Sequence, residues 1–125
     1  MALPWCAGPE GGGTVYELSP STGGWTFTTL YSLPGSDGSY ANLTMDAAGN
    51  LYGTTFGDGA YGHGNVFKLT PSNASWTYTS LYDFTGGSDG SGSWSNVTLD
   101  ANGNLYGTTY AGGINGLGVV WKITP

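Results

Sequence analysis

Basic side chains are almost missing from this 125-residue sequence, which holds two Lys+Arg against eight Asp+Glu and has a formal net charge of -6. The two cations are Lys68 and Lys122. A protein that binds a phosphate backbone sets several cations against it and so releases counterions, which this chain cannot do. The composition therefore predicts no nucleic-acid partner and no membrane partner.

Cysteine is also scarce. Cys6 is the single one, so neither an intramolecular disulfide nor a multi-cysteine metal site can form. The stretch around Cys6 lacks a basic neighbour that would activate the thiol, which favours a structural role. No apolar run approaches the roughly 18 residues that span a bilayer. Residues 1–13 lack the basic start and apolar stretch of a signal peptide, so the sequence as given predicts no export signal and leaves the compartment open.

Charged residues make up only 8% of the chain, whereas there are 24 glycines and the aromatic share is 14%. This composition is unlike that of a helical or α/β domain. Short alternating runs of Val, Thr, Tyr, Trp and Phe are bounded by Gly, Asn, Asp, Ser and Pro, which is the pattern of strands and turns. We therefore predict an all-β protein.

Two motifs recur along the chain. The segment Asn-Leu-Tyr-Gly-Thr-Thr occurs at 50–55 and returns unchanged at 104–109. A second motif, Gly-x-Val followed by an aromatic residue and ending in Pro, begins at Gly13, Gly64 and Gly118. The period of roughly fifty residues lies in the range of propeller blades. The chain is therefore a tandem repeat.

Each period contains four strand-like runs, which in the complete repeat lie at 42–46, 50–55, 65–69 and 76–84. An Asp-x-x-Gly-Asn turn joins the first two, with Asp46 or Asp100 capping the turn and Gly49 or Gly103 free to take a positive φ. In the run 25–33, Leu30 breaks the polar–apolar alternation. Aromatic residues that recur at equivalent strand positions are assigned to packing: Trp25, Trp76, Tyr31, Tyr82, Tyr52 and Tyr106.

Four antiparallel strands with apolar inner strands describe a propeller blade, and the chain holds about two of them. We divide it into an irregular lead-in at 1–12, the third and fourth strands of a partial blade at 13–34, a complete blade at 35–84, and three strands of a further blade at 85–125. Two blades cannot close a ring, and open sheet edges invite association.

We therefore expect a homo-oligomer. The N-terminal third and fourth strands of one copy would complete the blade begun by the C-terminal strands of the next, in a head-to-tail interface that closes by rotation. Three copies would give a six-bladed ring, which is the favoured count, and a dimer or a larger ring are the alternatives. The segments around Val15 and Val120 then compete for one place.

The combined motifs Gly-Asn-Leu-Tyr-Gly-Thr-Thr, Gly-x-Val-Phe-x-Leu-Thr-Pro, Trp-Thr-x-x-x-Leu-Tyr-x-Phe and Ser-Asp-Gly resemble the GloVer tandem repeats from Gly11 to Pro125. The resemblance implies a propeller fold and a large bacterial parent protein, often surface-anchored and hence secreted or displayed at the cell surface. It implies no defined set of catalytic residues. Family members usually carry many repeats, whereas this chain carries about two.

The loops that precede the first strand and follow the second would share one rim of the ring, where His63 and Asp58 lie in one loop. His63 is the single histidine, and a His-Asp pair or a metal-bound site built from these two is the best enzymatic candidate. The alternative is a solvated or turn-stabilising histidine. Ser-Asp-Gly at Asp37 and Asp89 favours an Asx-stabilised turn, and its functional alternative is a ring of carboxylates that binds Ca²⁺.

Tyr40 and Trp94 occupy equivalent loop positions close to Asn42 and Asn96, and Tyr61 lies in the longer loop. Aromatic faces stack on sugar rings while amides bind the hydroxyls, so these residues are candidate ligand-binding residues. In the alternative interpretation, the rings at Tyr40 and Trp94 fill the gap between adjacent blades.

The sequence thus predicts a non-enzymatic binding or scaffold propeller that recognises carbohydrate or another small polar ligand at the rim of an assembled ring. One alternative is a metal-assisted hydrolase of esters, lactones or phosphoesters, with Ca²⁺ or Zn²⁺ in the central channel. Another is a purely structural repeat. No cofactor is certain from the sequence.

Overall fold

The computed structural model describes residues 11–35 and 42–125, which form antiparallel β-sheets. The predictions for Cys6, Asp37 and Tyr40 lie outside these residues. The strands in the described part are β1 (Thr14–Ser21), β2 (Gly24–Ser32), β3 (Thr44–Met45), β4 (Leu51–Thr54), β5 (Asn65–Ser72), β6 (Ser75–Asp83), β7 (Thr98–Leu99), β8 (Leu105–Thr108) and β9 (Val120–Ile123). The all-β prediction is confirmed. Within these residues there is no helix that could cross a membrane.

Three sheets follow one another along the chain. The first pairs β1 with β2, the second has the order β3-β4-β5-β6, and the third has the order β7-β8-β9. Within each sheet, strands that are consecutive in sequence pair with each other, which is the meander expected of a propeller blade. The first strand of the complete repeat is shorter than predicted, because the ladder covers only Thr44 and Met45. Closure of such sheets into a ring stays a prediction.

The turn between the first two strands is built as the Asp-x-x-Gly-Asn pattern predicts. The Oδ1 atom of Asp46 accepts hydrogen bonds from the backbone N–H groups of Ala48 and Asn50, both at 2.9 Å. Its Oδ2 atom accepts from the side-chain amide of Asn50 at 2.7 Å and from the Tyr52 hydroxyl at 3.0 Å. Gly49 has φ 86°, which a residue with a Cβ rarely adopts. The same bonds recur around Asp100.

Leu30 breaks the alternation of its strand because it sits in a β-bulge. Val15 pairs with Tyr31 but the next residue, Tyr16, pairs with Thr29, so Leu30 is left over. The register of β5 with β6 slips in the same way, leaving Leu81 over. An extra residue of this kind turns the side chains that follow it to the other face.

The middle sheet is buried on both faces. Phe67 packs with Val15 and Leu33 in the cluster towards the first sheet, while its neighbour Val66 packs with Leu105 in the cluster towards the third. Adjacent strand residues point to opposite faces, so one strand serves two cores. The sheets are therefore stacked face to face, as consecutive blades would be.

The assignment of Trp25 to packing is wrong for the single chain, since its side chain is 68% exposed. Tyr82 is exposed in part, but its ring packs edge-on against the buried Phe84 with centroids 5.3 Å apart. Trp76, the repeat equivalent of Trp25, is half-buried against the cluster that joins the first and second sheets. In the described part of the chain Trp25 lies on the first sheet of the stack and has no earlier sheet to pack on.

Candidate functional site

Three loops meet on one side of the stacked sheets: residues 55–64 after β4, 84–97 before β7, and 109–119 after β8. The backbone N–H of Gly92 donates to the carbonyl of His63 at 2.8 Å, and the carbonyl of Gly92 accepts from Tyr110 at 2.6 Å. Ser91 and Ala111 exchange two backbone hydrogen bonds, at 2.8 and 3.0 Å. These contacts fix the loops of one repeat against those of the next.

Trp94 lies between two aromatic rings. Its ring stacks on Phe56 with centroids 4.9 Å apart and packs at a tilt on Tyr110 with centroids 5.1 Å apart. Trp94 is 51% exposed and Tyr110 is 65% exposed. We call these three residues the aromatic row. The ring thus packs between two repeats, as the gap-filling interpretation predicts, and about half of its surface stays exposed. Ligand binding by Trp94 stays a prediction.

Sequence reasoning missed Phe56 and Tyr110, although a signal for them exists. Each follows Gly-Thr-Thr, so the two are repeat equivalents. A Cβ added at Gly92 would come within 2.5 Å of the Phe56 ring, which shows how closely that backbone approaches the row. Tyr40, the equivalent of Trp94, lies outside the described residues.

His63 and Asp58 have different surroundings. The His63 Nδ1 atom lies 3.1 Å from the Ser91 hydroxyl, and its ring packs on Gly86, where an added Cβ would come within 2.6 Å. Asp58 faces the first sheet instead, with its Oδ1 atom 2.0 Å from the position of a Cβ at Gly35. The structure therefore brings His63 to the 84–97 loop and Asp58 to a separate pocket.

That pocket, of about 390 Å³, lies between the first and second sheets and has Asp58 and Asp83 in its lining. The side-chain amide of Asn65 donates to the Tyr78 hydroxyl at 2.7 Å, and Ser80 donates to Asp83 at 3.1 Å. Burial raises the pKa of Tyr78, and the carboxylates of Asp58 and Asp83 raise it further. The pocket is thus lined by neutral hydroxyl and amide groups and by two carboxylates.

The geometry gives little support to metal binding by the predicted acidic residues. Nowhere in residues 11–35 and 42–125 do three His, Cys, Asp or Glu side chains come together in a group that could hold an ion. Asp37 lies outside that part of the chain, so the predicted Ca²⁺ or Zn²⁺ site stays a prediction.

Asp89 closes the turn before β7. Its carboxylate accepts hydrogen bonds from the Tyr82 hydroxyl at 3.0 Å, from the backbone N–H of Thr85 at 2.9 Å, and from the Thr85 hydroxyl. The hydrogen bond from the Thr85 side chain is the main reason why the pKa of Asp89 lies below its usual value. This is the arrangement that the turn interpretation of Ser-Asp-Gly predicts.

Asn42 and Asn96 link two consecutive repeats. The backbone N–H of Asn42 donates to Oδ1 of Asn96 at 3.0 Å, and the Thr44 hydroxyl donates to the carbonyl of Val97. The first strands of the two repeats are therefore neighbours. Asn96 lies two residues after Trp94 and both side chains are exposed, while Tyr61 is exposed elsewhere on the β4–β5 loop.

A family model for the Gloeobacter/Verrucomicrobia repeat matches residues 6–125. The chain belongs to this repeat family. The match extends over both copies of the Gly-Thr-Thr motif and all three copies of the Gly-x-Val motif, so the GloVer resemblance is confirmed. No curated protein and no solved structure matches the chain.

Proposed function

We propose that this member of the Gloeobacter/Verrucomicrobia repeat family is a non-enzymatic carbohydrate-binding scaffold that uses the aromatic row. The observation that carries the proposal is the pair of neighbouring rings at Trp94 and Tyr110, both more than half exposed and 5.1 Å apart. Large exposed rings of this kind supply the apolar platform on which the C–H face of a sugar packs.

The row is held in place before any ligand arrives. Phe56 stacks behind Trp94, and the backbone of Gly92 contacts both the Phe56 ring and Tyr110. A rigid platform loses little side-chain entropy on binding, which favours affinity. Asn96 lies two residues after Trp94, and its Oδ1 accepts the Asn42 N–H. Its amide NH₂ group is the donor offered to hydroxyl groups of the same sugar.

The charge of the chain selects the class of glycan. With a net charge of -6 and two basic side chains, the protein would repel uronic acids and sulfated sugars. Neutral polysaccharides are therefore the expected ligands. The metal-assisted hydrolase gains less support, because His63 bonds Ser91 while Asp58 lies against Gly35.

The test is affinity electrophoresis of the 125-residue chain in gels that contain neutral or acidic polysaccharides, followed by calorimetry on the best ligand. Retardation should occur in neutral gels alone. Trp94→Ala and Tyr110→Ala should each weaken binding at least about tenfold. Trp94→Phe keeps a ring on Phe56 and should retain most of the affinity.

Ile114→Ala is the matched control, since Ile114 lies outside the row and is 94% exposed in the loop that carries Tyr110. It should bind like the parent chain. The urea midpoint of unfolding of every variant should differ from that of the parent chain by no more than the loss of one ring contact explains. Unchanged binding in both alanine variants would contradict the proposal. Failure of the parent chain to bind any glycan would leave a purely structural repeat, and chelator-sensitive turnover of an ester panel would point to the hydrolase.

A further inference from the structure

We infer that the β1–β2 hairpin of a second copy completes the third sheet by taking the place of β9 beside β8. The inference concerns self-assembly and does not depend on glycan binding, because the aromatic row is formed within one chain. It rests on the internal repeat, which shows how the finished sheet is built.

The third sheet lacks the outer strand that the second sheet has. In the described part of the chain β9 pairs with β8 on one edge and has no strand on the other, whereas its equivalent β5 pairs with both β4 and β6. Val120 is 81% exposed, although Val66 at the same repeat position is 0% exposed. An exposed edge with an apolar side chain of this kind is a template for a further strand.

A pocket of about 400 Å³ lies beside this open edge, with Tyr82 and Trp121 in its lining. Their repeat equivalents are Tyr31 and Phe67, and at that earlier junction the Tyr78 ring of β6 stacks on both with centroids 5.4 Å apart. The pocket thus lies where the third sheet would need an aromatic side chain from a β6-type strand.

The β1–β2 hairpin is the unit that fits. It repeats the register of β5 with β6, including the bulge. Phe27 stands at the position of Tyr78 and is exposed. Leu18 stands at the position of Leu69, and it is 50% exposed where Leu69 is 0% exposed. Docked as β5–β6 is docked, the hairpin would place Phe27 against Tyr82 and bury Leu18. Tyr16, whose ring stacks on Phe27 with centroids 5.1 Å apart, would take the place of Trp121.

The strand that the hairpin replaces is β9. The hairpin is paired over its whole length, from Thr14–Ser32 to Ser21–Gly24, while β9 pairs with β8 only from Leu105–Ile123 to Thr108–Val120. β1 can replace those pairs one for one. The exchange removes Trp121 and Ile123 from the core cluster. It covers three apolar side chains of the hairpin that the single chain leaves exposed: Leu18, Trp25 and Phe27. Val15 stays packed on its own second sheet throughout.

The exchange is head to tail, so it continues from copy to copy until a ring closes. Each copy then contributes two complete four-stranded sheets. Three copies give the six-sheet ring, with three times the 12.8 kDa mass of one chain.

The test is light scattering behind gel filtration over a range of concentrations. The parent chain should form a closed oligomer, and a chain that ends at Gly118 lacks the competing strand and should stay assembled at about tenfold lower concentration or below. A chain with the sequence of residues 72–84 added after Pro125 carries its own outer strand and should be monomeric. Phe27→Asp should weaken assembly at least tenfold, with Ile114→Asp as the matched control.

A substitution at Glu17 should strengthen assembly, whereas Phe27→Asp should weaken it. Glu17 stands where the other two repeats carry Lys68 and Lys122, whose ammonium groups lie 5.8 and 5.7 Å from the centroids of the Tyr52 and Tyr106 rings. In the exchanged sheet Glu17 would lie over the partner ring, whose hydroxyl donates to a carboxylate, so Glu17→Lys should tighten assembly. Glu10→Lys makes the same change of net charge ahead of β1 and should do less.

Several results would overturn the inference. One is a monomer for both the parent chain and the chain ending at Gly118. Another is weaker assembly of the shortened chain while it stays folded, since β9 would then be part of the contact. If the shortened chain unfolds, a cysteine pair tests the exchange instead. The variant carries Glu17→Cys and Tyr106→Cys in a Cys6→Ser background, because these two positions face each other in the exchanged ladder, within disulfide reach. A disulfide between chains is expected, and its absence under oxidation would refute the exchange.

Discussion

Gly53 lies at the centre of β4, where the fold leaves no room for a side chain. A Cβ at this position would come within 2.6 Å of the Phe67 ring and 2.9 Å of a Leu43 methyl group. Phe67 is fully buried and stacks on Tyr78, so it cannot move aside. Gly53→Ala should therefore destabilise the protein by steric crowding and not through backbone strain.

The expected loss is about 1–3 kcal/mol, the usual cost of overpacking a core. Against a total stability of roughly 5–15 kcal/mol this is a large fraction. It corresponds to a melting temperature lower by about 3–18 °C, at roughly 3–6 °C per kcal/mol for a domain of this size. The matched control is Gly24→Ala in β2, where an added Cβ would meet nothing within 4 Å. That change should be neutral or stabilise by up to about 1 kcal/mol, since alanine restricts the unfolded chain.

Urea unfolding followed by tryptophan fluorescence, at one fixed protein concentration, measures both variants. Equal urea midpoints for Gly53→Ala and Gly24→Ala would refute the reasoning, because the Phe67 ring would then move aside without a cost in stability. Adding Phe67→Leu to Gly53→Ala should cost less than the sum of the two single changes, since the smaller side chain makes room for the new methyl group.

Two further outcomes follow from hydrogen bonds. The side-chain amide of Asn104 is the main reason why the pKa of Asp100 lies at about 2, so the stability that this carboxylate contributes should be complete above its unfolded pKa of about 3.9 and be lost as the pH falls towards 2. Urea midpoints measured from pH 2 to 7 should show this loss, and Asp100→Asn should flatten it. Thr54 is fully buried and donates to the carbonyl of Ser95 at 3.1 Å. Thr54→Val should cost about 1–3 kcal/mol by the same urea assay, and an unchanged midpoint would show that the carbonyl finds another donor.

The strands and turns were predictable because the residues that shape them are local. Asp46 and Gly49 define a hairpin from residues that lie within one turn, and the repeat supplies a second instance around Asp100 that supports the interpretation. Leu30 broke the alternation visibly, and the bulge explains it. Exposure was less predictable, because whether Trp25 packs depends on the presence of a sheet ahead of it.

The candidate site was harder to predict, because it depends on how the loops fold. Asp58 and His63 lie five residues apart, but Gly59 and Gly62 between them take positive φ values and the backbone turns there, with the Gly62 N–H donating to the Gly59 carbonyl at 3.2 Å. The side chains consequently face different neighbours. The contact of Trp94 with rings from two repeats needs the stacking of sheets, which periodicity does not specify.

In the proposed function, the binding unit is the junction between repeats and not the repeat itself. Phe56 follows the second strand of one repeat and Tyr110 follows the second strand of the next, while Trp94 comes from the loop that joins them. The strands around them are nearly identical, but the loops are not, since His63 has no counterpart in the β8–β9 loop. Successive junctions of an array would therefore share a platform and differ in the polar groups beside it, so that the number of sites grows with the number of junctions and the specificity of each depends on its own loops.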